Sequence, residues 1–191
     1  TNVCSGVGLQ IGSSPINNYV YTWSPINGLN DPSLSDPTVT WVNNDSVPDT
    51  LTYQVEAMDT LTSCIQTDSM QLVVFPSPDS NIIIGPVSIC PGADSISYSV
   101  KGKPGSNYYW ELTGPGIIID GQGLDSILVN YDTANVWTLS VTETDSNGCT
   151  SDTAYLHGKT NPLLEPPAPN GSDTLCTGSM VGINYQVPYT H

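Results

Sequence analysis

Five cysteines, at positions 4, 64, 90, 149 and 176, recur with a period that limits what this 191-residue chain can fold into. The first members of successive sets are 86 residues apart (90 − 4 = 86; 176 − 90 = 86), and the separations within a set are 60 and 59 (64 − 4; 149 − 90). Each first cysteine stands in an apolar-Cys-x-Gly setting followed by an alternating run: "NVCSGVGLQI", "SICPGADSISYSV" and "TLCTGSMVGINYQV". Each second cysteine follows a strand-like run that ends on an aspartate, "TYQVEAMDTLTSC" and "TLSVTETDSNGC". The tryptophans keep the same step, Trp23 lying 19 residues after Cys4 and Trp110 lying 20 after Cys90. The expected organisation is two full repeats, 1–76 and 77–162, then a linker and the start of a third at 163–191, with each full repeat long enough to bury a core. The proline-punctuated stretches "FPSPDSNIIIGP" and "NPLLEPPAPNGSD" read as semi-rigid linkers. Units joined in this way are expected to lie end to end with small contacts between them.

The spacing also bears on what the thiols do. Structural zinc sites draw on closely spaced Cys or His pairs, and none occurs here. A disulfide within each repeat is expected instead, Cys4 with Cys64 and Cys90 with Cys149. Each would stabilise its unit by about 4 kcal/mol in the chain-entropy description, and would imply an oxidising compartment. Cys176 is then the orphan of the third repeat, with its partner expected roughly 60 residues beyond His191.

Alternation and turn residues predict strands near 95–101, 107–113, 116–120, 126–131, 135–144 and 149–157 in the second repeat, and near 7–12, 19–24, 38–42, 50–58 and 65–75 in the first. Asn147-Gly148 is expected to close a tight hairpin before the last strand. No extended window carries a 3.6-residue period. Short strands at regular spacing with turns between them predict an all-β fold of tandem sandwiches, in which Trp23 and Trp110 are core.

The charge is lopsided: 18 acidic residues stand against Lys101, Lys103 and Lys159, giving a formal charge of −15. Such a surface repels phosphate backbones and anionic membranes, which argues against nucleic acid as a partner. No apolar run is long enough to span a bilayer as a helix, so no membrane insertion is expected for this segment.

"YTWSPINGLND" with the downstream "YQVEAMDTLTSC", and "YYWELTGPG" with "LSVTETDSNGC", resemble the PKD-like and Ig-like repeats of cell-surface proteins exported by the type IX secretion system in Bacteroidota, the gliding adhesins among them. The resemblance covers nearly the whole chain. It departs from strict PKD domains, which carry Trp-Asp-Phe-Gly-Asp where this chain has "SPING" after Trp23 and "ELTGPG" after Trp110. It departs from antibody-type domains in placing Thr62 and Asn147, not tyrosine, two residues before the second cysteine. What it implies is a non-enzymatic stalk or adhesin segment at the cell surface, with other surface proteins or extracellular glycans as partners. The rival reading is carbohydrate-binding or spacer modules of a secreted hydrolase.

Candidate sites are few. The histidines, His157 and His191, stand outside any nucleophile motif, and Glu111, Glu143 and Asp145 are the carboxylates that a glycosidase pair would draw on. No catalytic set and no cofactor is expected. Asp59 and Asp145, at matching places before the second cysteine, are calcium candidates weighed against simple turn capping. Trp41 and Trp137 are the candidates for contacting a ligand, weighed against core packing. Finally, 11 of the 14 aspartates are followed directly by Ser or Thr, although those residues fill only 42 of 191 positions. In nine cases an apolar residue comes next, making Ser46, Thr50, Thr60, Ser69, Ser95, Ser126, Thr133, Thr153 and Thr174 the candidate hydroxyls. The pattern is similar to the Asp-Ser/Thr-apolar acceptor of the general O-glycosylation system of Bacteroidota.

Overall fold

The Cys-x-Gly motif is a turn. Val7 N–H donates to the Cys4 carbonyl at 3.1 Å and Ala93 N–H to the Cys90 carbonyl at 3.3 Å, a reversal that needs a positive φ at its third residue. Gly6 (φ 73°) and Gly92 (φ 74°) supply it without a Cβ penalty.

The computed structural model describes residues 1–162. Its regular elements are β1 (Asn2–Cys4), β2 (Leu9–Gln10), β3 (Tyr19–Ser24), β4 (Thr38–Val39), β5 (Asp49–Asp59), β6 (Ile65–Phe75), β7 (Ser88–Ile89), β8 (Ala93–Ser99), β9 (Asn107–Thr113), β10 (Ile117–Asp120), β11 (Ser126–Tyr131), β12 (Asn135–Thr144) and β13 (Ala154–Thr160). The N-terminal half pairs its strands in the order β1-β6-β5-β3 beside the short β2-β4 ribbon. In the C-terminal half, β10-β11-β8 packs on β7-β13-β12-β9. Among the described residues every strand pairing stays within one half.

Two cores follow from the period-2 alternation. In β9, Tyr108 and Trp110 point inward and Tyr109 and Glu111 outward. β11 and β12 contribute Ile127, Val129, Tyr131, Trp137, Leu139 and Val141 to the same cluster. The N-terminal cluster is smaller, built on Ile11, Trp23, Val39, Tyr53, Leu72 and Val74. Trp23 and Trp110 are indeed core, and each satisfies its indole N–H on a loop carbonyl, Leu34 and Leu124 respectively, both at 2.9 Å.

Most strands lie where alternation placed them. β13 is the clearest shift, running over Ala154–Thr160 and not over 149–157. The residues between are held by a Thr144–Thr150 bridge and by Ser151, whose buried hydroxyl accepts from Glu143 N–H. The hairpin is also not the two-residue type: Gly148 alone takes a positive φ (83°), Gly148 N–H donates to Asp145 O, and Asp145 N–H donates to Cys149 O. That is a type I turn followed by a left-handed glycine.

The cysteine pairing differs from the expectation. The bond is Cys4–Cys149, and Cys64 and Cys90 are free and exposed. The cause is strand direction. β1 runs parallel to β6, with Cys4 opposite Phe75, whereas Cys64 precedes Ile65 at the other end of that 11-residue strand. Ten strand steps separate the two, about 33 Å at about 3.3 Å per residue. The second half repeats the arrangement: β7 runs parallel to β13, Cys90 follows Ile89 opposite Thr160, and Cys149 lies past the far end of β12. A disulfide needs Cα atoms within about 7 Å, so neither within-repeat pair can form.

Candidate functional site

Cys4 ends the first strand of one half, and Cys149 ends the turn that leads into the last strand of the other. Their bond ties the two halves at the end where β6 leaves for the linker, over a Cα–Cα distance of 5.5 Å and 145 residues of sequence. Ile83 of that linker is buried in the C-terminal core and Ile84 bridges Ser99, so the connection itself is docked. Thus the junction carries both a docked chain and a covalent cross-link.

Close behind Cys149 lies a fully buried carboxylate. Glu143 accepts from Ser106 Oγ (2.8 Å), from Lys103 Nζ (3.0 Å) and from Asn81 Nδ2 of the linker (3.2 Å). Its repeat equivalent, 86 residues earlier, is Ala57. With its oxygens occupied by three donors this group braces the linker on the second core. Glu111, the other carboxylate weighed for that role, is exposed on the outer face of β9.

The two calcium candidates are turn caps. Asp145 Oδ1 accepts from Asn147 N–H and Cys149 N–H, both at 2.9 Å, and Asp59 Oδ1 accepts from Leu61 N–H at 2.8 Å. The Leu61 amide bond, helped by the Thr62 hydroxyl, holds the Asp59 carboxyl below its ordinary value. Among the described residues no cluster of three or more His, Cys, Asp or Glu gathers as a metal site.

The two tryptophans part company. Trp137 is 2% exposed and packs edge-on to Tyr98 and tilted against Tyr131, so it is core and cannot meet a ligand from outside. Alternation in β12 decides this: Trp137, Leu139 and Val141 share the inward face. Trp41 is half-buried, with its indole N–H on Asp49 Oδ2 at 3.0 Å. His157 is exposed beside Thr138 Oγ1, at 2.9 Å from its Nδ1.

A feature absent from the sequence reading is a groove of about 410 Å³ on the N-terminal half, lined by Tyr19, Tyr21, the edge of Trp23, Gln66, Asp68 and Met70. It exists because β5 and β6 are 11 residues long while the opposing ribbon β2-β4 has two-residue strands, so the far end of the sheet is uncovered. The signal was there as Tyr-x-Tyr-x-Trp, three aromatics on one face of β3.

Of the candidate hydroxyls, Ser46, Thr50, Thr60, Ser69, Ser95, Thr133 and Thr153 are exposed and Ser126 is half-buried. Thr60 Oγ1 donates to Asn18 O at 2.9 Å, and Thr153 Oγ1 lies 3.0 Å from Thr142 Oγ1. Thr174, Cys176 and His191 lie outside the described residues.

The C-terminal half is built of two facing sheets. Residues 76–157 match the family model of the PKD-like domain. The PKD-like match thus takes in β7 to β12, the start of β13 and Cys149, but stops short of the N-terminal half that supplies Cys4. No curated protein matches the chain. Three solved structures are similar in fold. One is a SusE-like surface-located polysaccharide-binding protein from Bacteroides thetaiotaomicron, at 12% identity and TM-score 0.43, over 87% of this chain and 33% of that one. Another is the fibronectin(III)-like modules of Clostridium thermocellum CbhA, at 10% identity and TM-score 0.42, over 84% and 89%. The third is a C-terminal intimin fragment in complex with the intimin-binding domain of its translocated receptor, at 14% identity and TM-score 0.41, over 81% and 57%. This chain spans about a third of the length of the SusE-like protein. Among the described residues no helix is long and apolar enough to cross a membrane.

Proposed function

We propose that this chain is a non-catalytic extracellular spacer: tandem Ig-like/PKD-like sandwiches at 1–76 and 77–162, with a third beginning within 163–191, serving as the stalk of a cell-surface adhesin. The observation that carries this reading is the Cys4–Cys149 bond across the junction. A disulfide of this kind persists in an oxidising compartment and restrains bending where two units meet, which is what a stalk requires. The −15 charge keeps such a stalk soluble and away from anionic surfaces. Export by a type IX route and a place in a gliding-type adhesin follow from the resemblance of the repeats. O-glycans on the exposed Asp-Ser and Asp-Thr steps would shield strand edges from pairing with other chains. Small-angle scattering tests the reading: an elongated particle that becomes more flexible on reduction supports it, and a single compact globule overturns it. Intact mass of native protein tests the glycans, and a mass equal to the bare polypeptide removes them.

A second reading, modules that bind carbohydrate for a secreted hydrolase, is favoured by the groove at Tyr19, Tyr21 and Trp23. Aromatic faces on one strand suit sugar rings. Selective binding on a glycan array, lost in Tyr19→Ala and Tyr21→Ala and kept in Trp41→Ala, would replace the stalk by this role.

A further inference from the structure

Cys64 and Cys90 are free and exposed, yet each sits in the same local structure as one half of the bond that does form. Cys90, like Cys4, opens a Cys-x-Gly turn at the end of a strand that runs parallel to the last strand of its half. Cys64, like Cys149, closes a turn in which the preceding aspartate N–H donates to the cysteine carbonyl, at 2.9 Å in both halves (Asp59 to Cys64, Asp145 to Cys149). The left-handed residue just before the cysteine recurs too, Ser63 (φ 57°) standing where Gly148 (φ 83°) stands. Parallel pairing of first and last strands puts the two cysteines of each half at opposite ends of it, so each half offers one thiol forward and one backward.

We propose that Cys90 and Cys64 are the open halves of further junction bonds, and that their partner is another unit of this same repeat. Cys90 bonds the second cysteine of a unit that follows it, as Cys4 bonds Cys149. Cys64 bonds the first cysteine of a unit that precedes it. A series of units is then stapled at every junction by a bond from the first cysteine of one to the second cysteine of the next, and no unit contains a bond of its own. The chemistry is thiol–disulfide exchange with a disulfide oxidant such as oxidised glutathione: the two cysteines lose two protons and two electrons as their S–S bond forms, and the oxidant's S–S bond is reduced to two thiols. This rests on the tandem reading above, but it fails separately: the Cys4–Cys149 bond and an extended particle can stand while Cys90 stays unbonded.

The test carries the chain one period past residue 162. Joining residues 86–162 directly after residue 171, in place of 172–191, keeps the 86-residue step and supplies second copies of Cys90 and Cys149 in the unit that follows Cys90. After refolding in a glutathione redox buffer, non-reducing peptide mapping is expected to show Cys4–Cys149 together with Cys90 bonded to the appended copy of Cys149, while Cys64 and the appended copy of Cys90 remain open to alkylation. Cys90 left alkylatable, Cys90 bonded to its own appended copy, or the two appended cysteines bonded to each other overturns the proposal. Loss of Cys4–Cys149 itself overturns the tandem reading instead. If the lengthened chain does not fold, the 191-residue chain decides: oxidation at high concentration is expected to join copies head to tail through Cys64–Cys90 peptides. Those cross-links should vanish in both Cys64→Ser and Cys90→Ser. Symmetric Cys64–Cys64 or Cys90–Cys90 products in place of the mixed one, or no cross-link at all, count against it.

Discussion

Cys4 is bonded to Cys149, 145 residues away, although Cys64 is much nearer in sequence. The bond joins the two halves where the chain passes between them, so unfolding either half leaves its chain tethered at both ends. The chain-entropy description puts the effect at about 5 kcal/mol for a loop of this length. Reduction, or Cys4→Ser, is expected to lower the unfolding free energy by up to that amount, read as a lower urea midpoint, while the far-ultraviolet spectrum below the transition is unchanged. An unchanged midpoint would mean the bond orients the halves and does no more.

Glu143 is fully buried with Lys103, Ser106 and Asn81 on its oxygens. Removing one member of a buried charged network leaves the rest unpaired, so Glu143→Ala should destabilise the C-terminal half by about 3–5 kcal/mol. Lys103 is partly solvated, its side chain 43% exposed. Lys103→Met strips the buried carboxylate of its counter-charge, whereas Glu143→Ala leaves a lysine that water can reach, so Lys103→Met should cost at least as much in chemical denaturation. A much smaller loss for Lys103→Met would show that Ser106 and Asn81 suffice to hold the carboxylate.

Gly158 faces the indole of Trp137 so closely that a Cβ there would collide with the ring. Gly158→Ala is expected to lower stability by about 1–3 kcal/mol through overpacking, and Trp137→Ala by about 3–5 kcal/mol through the cavity. Trp41→Ala, at a half-buried site, should fall below both. Thermal melts of the three variants give the order, and a loss for Trp41→Ala as large as that for Trp137→Ala would contradict the burial pattern.

Tyr98 and Tyr131 share a buried hydroxyl contact, with the Tyr131 hydroxyl donating to that of Tyr98 at 3.1 Å. Burial disfavours the phenolate and pushes the pKa of both above the ordinary tyrosine value, and also that of Tyr53. A raised folded value means the folded protein keeps protons that the unfolded chain releases. Stability is therefore full below the ordinary tyrosine value of about 10 and declines as pH climbs above it. Alkaline titration should show these three ionising only as the fold is lost. Their ionisation with the fold intact would refute it.

Much of this molecule was legible locally. Alternation in "NYYWELT" and "SILVNY" marked β9 and β11, and the spacing of Trp23 and Trp110 from their cysteines marked both cores, because burial on one face of a strand writes a period of two into the sequence. The Asp-turn before each second cysteine was readable for the same reason, since a carboxylate capping backbone amides is a local device. Where a strand lies relative to one far away in sequence is written nowhere in it. Trp137 and Trp41 looked alike until β12 was seen between β9 and β13, and the Tyr19–Tyr21 groove appeared only once the facing ribbon proved too short to cover it. The disulfide is the clearest case. Cysteine spacing reports the repeat, but which sulfurs meet depends on whether first and last strands run parallel or antiparallel. Here they run parallel, so the cysteines of one repeat sit about 30 Å apart, and only the stacking of one half on the next brings Cys4 to Cys149.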